Sequence, residues 1–573
     1  MAWFESIVRD AASVLSDLDR FSLPGEAASK QLARYVPESL TLRDLADAAR
    51  EPLGKAAAAK PATGRDLEMV RAALLSVFVC LKREGGIRGA STDEEDLGAV
   101  QELANNVAQV IAPAVSQDGS ASRDNDMAAV FNQAPKPRDK LSQHCMSTYT
   151  LGISALEALL TWNYSVPLGD EVLLTLLFYA DEKHQWVSPD ARTRADSLLE
   201  QHFNAAGPTK EQFITETVLQ RYLRPLFSRS KPASITASGR KTEYTDSAAT
   251  RAESIPDDTA LTKPWKYTDH RAIPALAWAV READNPLIAT HWPLFIPVLL
   301  TLVDDSATPV RSQGLLILSD FLSKFPDKTL HDTGLAKVFE DAIFPTLAFL
   351  PSLTPEDESV QLLGPAYRAL LGLANKQPLV GKDGVRREPK NSLLDKMLRE
   401  GVFTGYFHAK DHVRIVELLC QQMAEILKEM GVHAVKHLKD LVPILSSIIT
   451  DPFAPVVPET LLAAIKALQA VLANCWPRIP ASPWQDEIIN ALALCWLHLL
   501  EHEHSAAEDK EQPACLQKKG KAAYSLIEQE LVASVKALST VLKTAEGAID
   551  LSVHVAPLVE KEPRLGGLFS PSN

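Results

Sequence analysis

Residues 297–322 lie over residues 443–468 without a gap, and eight of the 26 positions are identical. The identities are Pro297/Pro443, Leu299/Leu445, Asp305/Asp451, Pro309/Pro455, Val310/Val456, Leu315/Leu461, Leu316/Leu462 and Leu322/Leu468. Each copy reads as helix, acidic turn, helix. A looser third copy runs from Phe344-Pro345 through Pro355 to Leu370. Self-similarity at this scale marks an array of supersecondary units, each of which buries its apolar face only by stacking on its neighbours.

The turn chemistry is legible in the first copy. In Asp304-Asp305-Ser306-Ala307-Thr308-Pro309-Val310-Arg311 an Asp is placed to accept the orphan N–H groups that open the second helix. Pro309 falls in the first turn, where a missing N–H costs little. Val310 is expected to point inward, and Arg311 to reach the acidic turn of a neighbouring repeat. In the second copy Pro443, Asp451, Pro455 and Val456 take the corresponding roles. These ten residues define the repeat and are structural.

Helical spacing dominates elsewhere. Leu67, Val70, Leu74, Val77 and Leu81 share one face. So do Val416, Leu419, Met423, Ile426 and Met430, and likewise Val457, Leu461, Ala464, Leu468, Leu472 and Cys475. No series of alternating strands is present in the pattern. The expected fold is all-α, a HEAT/armadillo-like α-solenoid of antiparallel helix pairs. The stretch 228–262 holds 12 Ser or Thr in 35 residues and few large apolar side chains. It cannot bury enough surface to offset ordering entropy. The reading is therefore an N-terminal helical block over 1–227, a flexible linker over 228–263, a repeat block over 264–560 and a tail over 561–573. The tail, with Leu565, Leu568 and Phe569, is read as disordered.

Composition excludes some functions. The formal charge is −14, which does not suit a general phosphate binder. Six scattered cysteines form no C-x-x-C pair, so they read as reduced, buried thiols. The N-terminus has no basic and apolar leader, and the longest apolar run, 292–303, is interrupted by proline. A cytoplasmic and nuclear location is expected.

Candidate chemistry is sparse. No phosphate-binding glycine loop, nucleophile elbow or H-E-x-x-H occurs. His408/His412, His433/His437 and His498/His502, with His504 nearby, have spacing that would let two imidazoles share a metal on an α-helix. The solvated helix end is the plainer reading, and no catalytic, cofactor or metal residue is assigned. Asp181-Glu182-Lys183-His184 is read as a solvated helix end too. Lys231, Arg240, Lys241 and Arg251 fall in the linker. Trp265, Trp278 and Trp292 are expected to pack within and between repeats.

Several stretches together resemble the Tel-two-interacting protein two family. They are Lys263-Pro264-Trp265, His291-Trp292-Pro293, Leu302-Val303-Asp304-Asp305, Val310-Arg311-Ser312-Gln313-Gly314, Leu347 to Glu356 with its Leu-Pro-Ser-Leu-Thr-Pro core, and Leu362-Leu363-Gly364-Pro365-Ala366-Tyr367. The resemblance covers about 264–375, and a fungal source is expected with it. It implies a non-enzymatic scaffold, the smallest subunit of the Triple T co-chaperone complex. The implied partners are the Tel-two protein, the first Tel-two-interacting protein and the heat-shock protein ninety system. The implied clients are phosphatidylinositol-kinase-related kinases, which serve TOR signalling, the DNA-damage response and telomere maintenance. No cofactor, nucleic acid or membrane is implied. Two other classes share the repeat pattern or the histidines: a nuclear-transport or coat solenoid, and a metal-dependent enzyme built on the His498 cluster.

Overall fold

A computed structural model describes residues 2–17, 26–59, 64–82, 94–113, 140–160, 168–181, 187–205, 208–228, 258–377, 389–508, 514–544 and 550–570. Among the described residues every regular element is helical. The chain forms two compact units, residues 1–326 and 327–573. The linker read over 228–263 lies outside the described residues from 229 to 257.

The first unit holds α1 (Ala2–Asp17), α2 (Glu26–Ala33), α3 (Leu42–Ala59), α4 (Gly64–Leu81), α5 (Glu94–Ile111), α6 (Lys140–Leu160), α7 (Asp170–Tyr179), α8 (Pro189–Asn204), α9 (Ala272–Glu282), α10 (Asn285–Val303) and α11 (Thr308–Lys324). They stack in two layers. One runs α1, α4, α6, α8 and the other α3, α5, α7, α9, with contacts between the layers at each step. A helix in such a stack needs apolar residues over more than one narrow stripe. Accordingly α4 buries not only Leu67, Val70, Leu74, Val77 and Leu81 but also Ala72, Leu75 and Val79.

The second unit contains α12 (Leu335–Ile343), α13 (Glu356–Asn375), α14 (Pro389–Lys396), α15 (Val413–Met430), α16 (Leu438–Ile449), α17 (Pro458–Asn474), α18 (Pro483–Glu508), α19 (Ala514–Lys543) and α20 (Leu551–Lys561). Here α13, α15, α17 and α19 stack in sequence, and α16 packs on α17 and α18. The face read on α15 is buried throughout: Val416, Leu419, Met423, Ile426 and Met430. That helix stops at Gly431, whose φ of +55° suits a residue without a Cβ.

The repeat read from sequence maps onto real hairpins. Pro297 lies within α10 and Pro443 within α16. Leu299 and Leu445, Leu315 and Leu461, and Leu322 and Leu468 are all buried. The turns differ, however. Thr308 opens α11, whereas its aligned residue Ala454 starts a short 3-10 turn and α17 begins only at Pro458. Val310 is fully buried as expected, but Val456 is exposed. The extra 3-10 turn rotates the second copy's valine out of register with the first.

Hairpin α10–α11 is closed tightly at Gly314. A Cβ there would sit 2.7 Å from the Leu302 Cβ and 2.9 Å from its carbonyl carbon. One of those atoms is backbone, so the helices must part to admit a methyl. Gly314→Ala is expected to destabilise the protein by about 1–3 kcal/mol despite the better helix propensity of alanine. Equilibrium urea unfolding of the two proteins measures this directly.

α10 is the one described helix long and apolar enough to cross a bilayer by length and composition, which the run read at 292–303 did not suggest. Most of its last three turns, including Phe295, Ile296, Leu299, Leu300 and Leu302, are buried against other helices of the unit.

Residues 561–570 of the tail are a correction to the disorder expected of it; 571–573 lie outside the described residues. Pro563–Leu565 forms a 3-10 turn and Gly566–Phe569 a helical turn, with Leu565 and Leu568 buried. The Trp496 indole N–H donates to the Arg564 carbonyl at 3.0 Å. Gly567 lies so close to the same indole that a Cβ would meet it at 2.9 Å.

Candidate functional site: a buried ionic joint at the acidic turn

The acidic turn between α10 and α11 is the most highly organised polar feature of the first unit. Asp305 has a fully buried carboxylate. Its Oδ1 accepts the Ala307 N–H at 2.9 Å, a bond within the turn just before α11; no side chain caps the helix itself, so the capping role expected of this Asp is not what it performs. The same oxygen accepts the Lys266 ammonium at 3.0 Å, and Oδ2 accepts Lys263 at 2.6 Å. Asp258 bridges the two lysines from the other side, at 3.1 Å to Lys263 and 2.8 Å to Lys266. Two carboxylates and two ammoniums thus form a closed ring, with Lys266 nearly as buried as Asp305.

Arg311 turns back on its own acidic turn. Its Nε donates to the Asp305 carbonyl at 3.0 Å, so it caps its own turn. The physical reason is position: Arg311 is the fourth residue of α11, and side chains on a helix lean toward its N-terminus, so the guanidinium lies over the turn's carbonyls. Asp304 closes the end of α10 through its backbone, its N–H donating to the Leu300 carbonyl.

A second joint lies next to it. Arg271 grips both oxygens of Asp269, at 2.9 Å each, and reaches Glu171 at 2.7 Å and the Thr175 hydroxyl at 3.1 Å. The guanidinium lies 6.0 Å over the Tyr222 ring, which a π-helical segment, Phe213–Leu223, places there. Aromatic packing completes the fastening. Trp265 stacks on Phe227 at 4.8 Å with 9° between planes, Trp278 stacks on Phe203 at 5.8 Å, and Trp292 meets Phe325 edge-on. The expected packing role of the three tryptophans is what the structure shows. Residues 258–278 are therefore pinned to the first unit by ions and rings.

Electrostatics give this joint a pH signature. Burial opposes the charged form of Asp258, but Lys266 and Lys263 hold it below the ordinary carboxylate range; Arg271 does the same for buried Asp269. Burial opposes charge on Lys266, yet Asp305 and Asp258 lift it above its ordinary value. A depressed Asp stabilises above its unfolded pKa, and that contribution is lost as pH falls through the folded value. A raised Lys stabilises below its unfolded pKa, and that is lost as pH rises through the folded value. Stability is expected to fall below about pH 4 and again above about pH 10.5. Asp258→Asn should make the acid limb of the urea midpoint shallower; an unchanged slope would show that Asp258 is not among its causes.

The histidine pairs do not converge on a metal-sized site. Among the described residues no three His, Cys, Asp or Glu side chains are grouped to hold an ion. His433 and His437 sit in a 3-10 segment, where residues four apart do not share a face, and His437 pairs with Asp395 at 2.8 Å. A turn separates His408 from His412, which approaches Glu356 at 3.4 Å. In the last cluster His502 Nδ1 engages the Tyr524 hydroxyl at 3.0 Å, while His504 is exposed. Asp181 follows α7, and Glu182, Lys183 and His184 lie outside the described residues, as do Lys231, Arg240, Lys241 and Arg251. Cys80, Cys145, Cys420, Cys475 and Cys495 are buried, and burial pushes the thiols of Cys420, Cys475 and Cys495 up to about 12. Such thiols pack rather than react.

The joint and both π-helical segments, Phe213–Leu223 and Met397–Phe403, fall within residues 172–456, and that stretch matches the Tti2 family model. The chain carries the Tti2 family domain. The match contains the 264–375 stretch on which the resemblance was read and extends it in both directions. No curated protein matches the chain in sequence. Among solved structures it is similar to importin beta in an ammonium sulfate condition, at 10% identity and a TM-score of 0.36, over 100% of this chain and 66% of that one. It is similar also to a Kap121p mutant, at 11% identity and 0.29, over 100% and 57%. Kap121p bound to Nup53p gives 11% and 0.26, over 98% and 57%. The chain spans less than two-thirds of each of these proteins.

Proposed function

We propose that this protein is the scaffold subunit of a Triple T co-chaperone complex that supports maturation and stability of phosphatidylinositol-kinase-related kinases. The observation that carries the reading is the Tti2 family domain over 172–456. The architecture supports it: stacked helices offer long ridges on which another helical-repeat chain can dock. The buried ionic joint reads as structural, because its ammonium and carboxylate groups are paired with one another. In this reading the protein holds the Tel-two protein and the first Tel-two-interacting protein, works with the heat-shock protein ninety system in cytoplasm and nucleus, and performs no chemistry of its own. The TOR kinase and the large checkpoint kinases are the expected clients.

Rapid depletion of the protein in its own cells tests this. The steady-state levels of those kinases are expected to fall while their transcripts stay constant, because newly made kinase fails to mature. Unchanged kinase levels after complete depletion would contradict the proposal.

A further inference from the structure

Three turns of the second unit meet along one edge. α13, α15 and α17 lie side by side with their N-termini together: His412 approaches Glu356, Arg414 pairs with Asp357, and the Thr460 hydroxyl donates to the Val413 carbonyl at 3.5 Å. The Tyr406 and Ser447 hydroxyls meet at 2.9 Å and tie the segment before α15 to the end of α16. The residues leading into those N-termini are apolar and face solvent. Leu353 is 87% exposed, Phe407 76%, Val413 41%, Phe453 76% and Val456 58%. Scattered surface apolar residues need no explanation, but large ones gathered on one edge do.

Each of these side chains sits where a core requirement is absent. Leu353 and Phe453 occupy turns, and Phe407 lies on the outer side of the short helix Thr404–Ala409. Turn positions normally carry Gly, Asn, Asp or Ser, whose backbone or hydrogen-bonding properties favour the bend. A phenylalanine in the Asp451 turn gives that bend nothing. The Asp451 carboxylate already accepts the Phe453 N–H at 2.9 Å, whatever side chain follows.

The polar setting selects the partner's charge. Asp411, Asp451 and Glu459 are exposed along the edge beside Asp357, which Arg414 already pairs; within these three stretches Lys410 is the other cation among the described residues. Three helix N-termini lie just behind, and their acids are where the helix dipole tolerates them best. The outward result is an apolar strip in an acidic frame.

We infer that the 353–357, 407–414 and 451–459 edge docks an amphipathic helix of another chain, whose apolar stripe covers Leu353, Phe407 and Phe453 and whose flanking Lys and Arg meet the acids. Apolar anchors at i, i+3, i+4 and i+7 of such a helix match a strip of this kind, and charge complementarity fixes its orientation. This rests on the scaffold reading and assigns that reading a surface.

The test uses the full chain, tagged, in its own cells, with photoreactive benzoylphenylalanine at Phe453 and, as a control, at Val553, which is exposed elsewhere in the unit. The expected product is one cross-link from position 453 to a Lys/Arg-flanked apolar helical segment of an equimolar co-purifying subunit, and none from position 553. In parallel, Phe407→Asp with Phe453→Asp should cut recovery of that subunit at least about tenfold, and Asp411→Lys should weaken it more mildly. The thermal melt of the purified variants should match the parent, since the altered side chains are exposed. If the parent recovers the subunit and the double variant recovers it equally, the edge is wrong and the scaffold reading stands. A cross-link to a second copy of this chain, or to an acidic segment, overturns the inference as well. If the parent recovers no equimolar subunit, the scaffold reading fails and the docking edge fails with it.

Discussion

Replacing Asp305 by alanine lowers the unfolding free energy by about 3–5 kcal/mol, the range for removing one partner of a buried ion pair. The substitution leaves the Lys266 ammonium, 4% exposed, with Asp258 as its remaining carboxylate partner, and leaves Lys263 with the same carboxylate. It also frees the Ala307 N–H at the start of α11. Asparagine in place of aspartate keeps the turn bond to the Ala307 N–H but not the charge, so Asp305→Asn should recover only that hydrogen bond, about 1 kcal/mol. The two lysines are coupled to Asp305 and to each other through Asp258. The Asp305→Ala, Lys266→Met double variant should therefore cost much less than the two single changes summed. Chemical denaturation followed by circular dichroism gives all four values. Additive losses would mean that the ring seen in the structure contributes no coupling energy.

Trp265→Ala produces the other large effect, a loss of about 3–5 kcal/mol through a large-to-small change in a closed core. Trp265 is 1% exposed and stacked face to face on Phe227. Those two residues stand at either side of the 229–257 segment, so their contact holds the chain's return point. Removing the indole leaves a cavity lined by Phe227 and by backbone that is fixed on its other side by the ionic ring. Little collapse can fill it. Trp265→Phe should cost distinctly less, because a ring still covers Phe227. A double-mutant cycle with Phe227→Ala should report a coupling of about 0.5–1.5 kcal/mol for the stacked pair. A loss below about 1 kcal/mol for Trp265→Ala would contradict the packing described.

Much of this was legible from residue spacing. The faces of α4 and α15 follow from steps of three and four, because burial on a helix repeats every 3.6 residues. The hairpin at 297–322 was legible because Asp305, Pro309 and Val310 each meet a local need that fixes the residue type. What spacing cannot give is the partner of a buried charge. Lys263 and Lys266 precede Asp305 by about forty residues, and composition places Lys263 in a linker. Only the fold brings it to a carboxylate. The same limit hid the tail: Leu565 and Leu568 look unattached until Trp496, far earlier in the chain, is seen to receive them. Val456 shows a different limit. Gapless identity preserved the letter but not the register, since a 3-10 turn lets a valine that is core in one copy face solvent in the other. The exposed strip on the second unit was invisible for a related reason. Its residues come from three separate turns, and each looks like an ordinary apolar residue in its own stretch of sequence.

The central claim is that this chain holds other proteins and transforms none. Affinity purification of the tagged full-length protein from its own cells, with quantitative mass spectrometry, tests it most directly. Two larger helical-repeat subunits in near-equal amounts, with the large kinases at lower levels, is the result predicted. Recovery of nuclear-transport factors or coat proteins in their place, or of the chain alone, would contradict it.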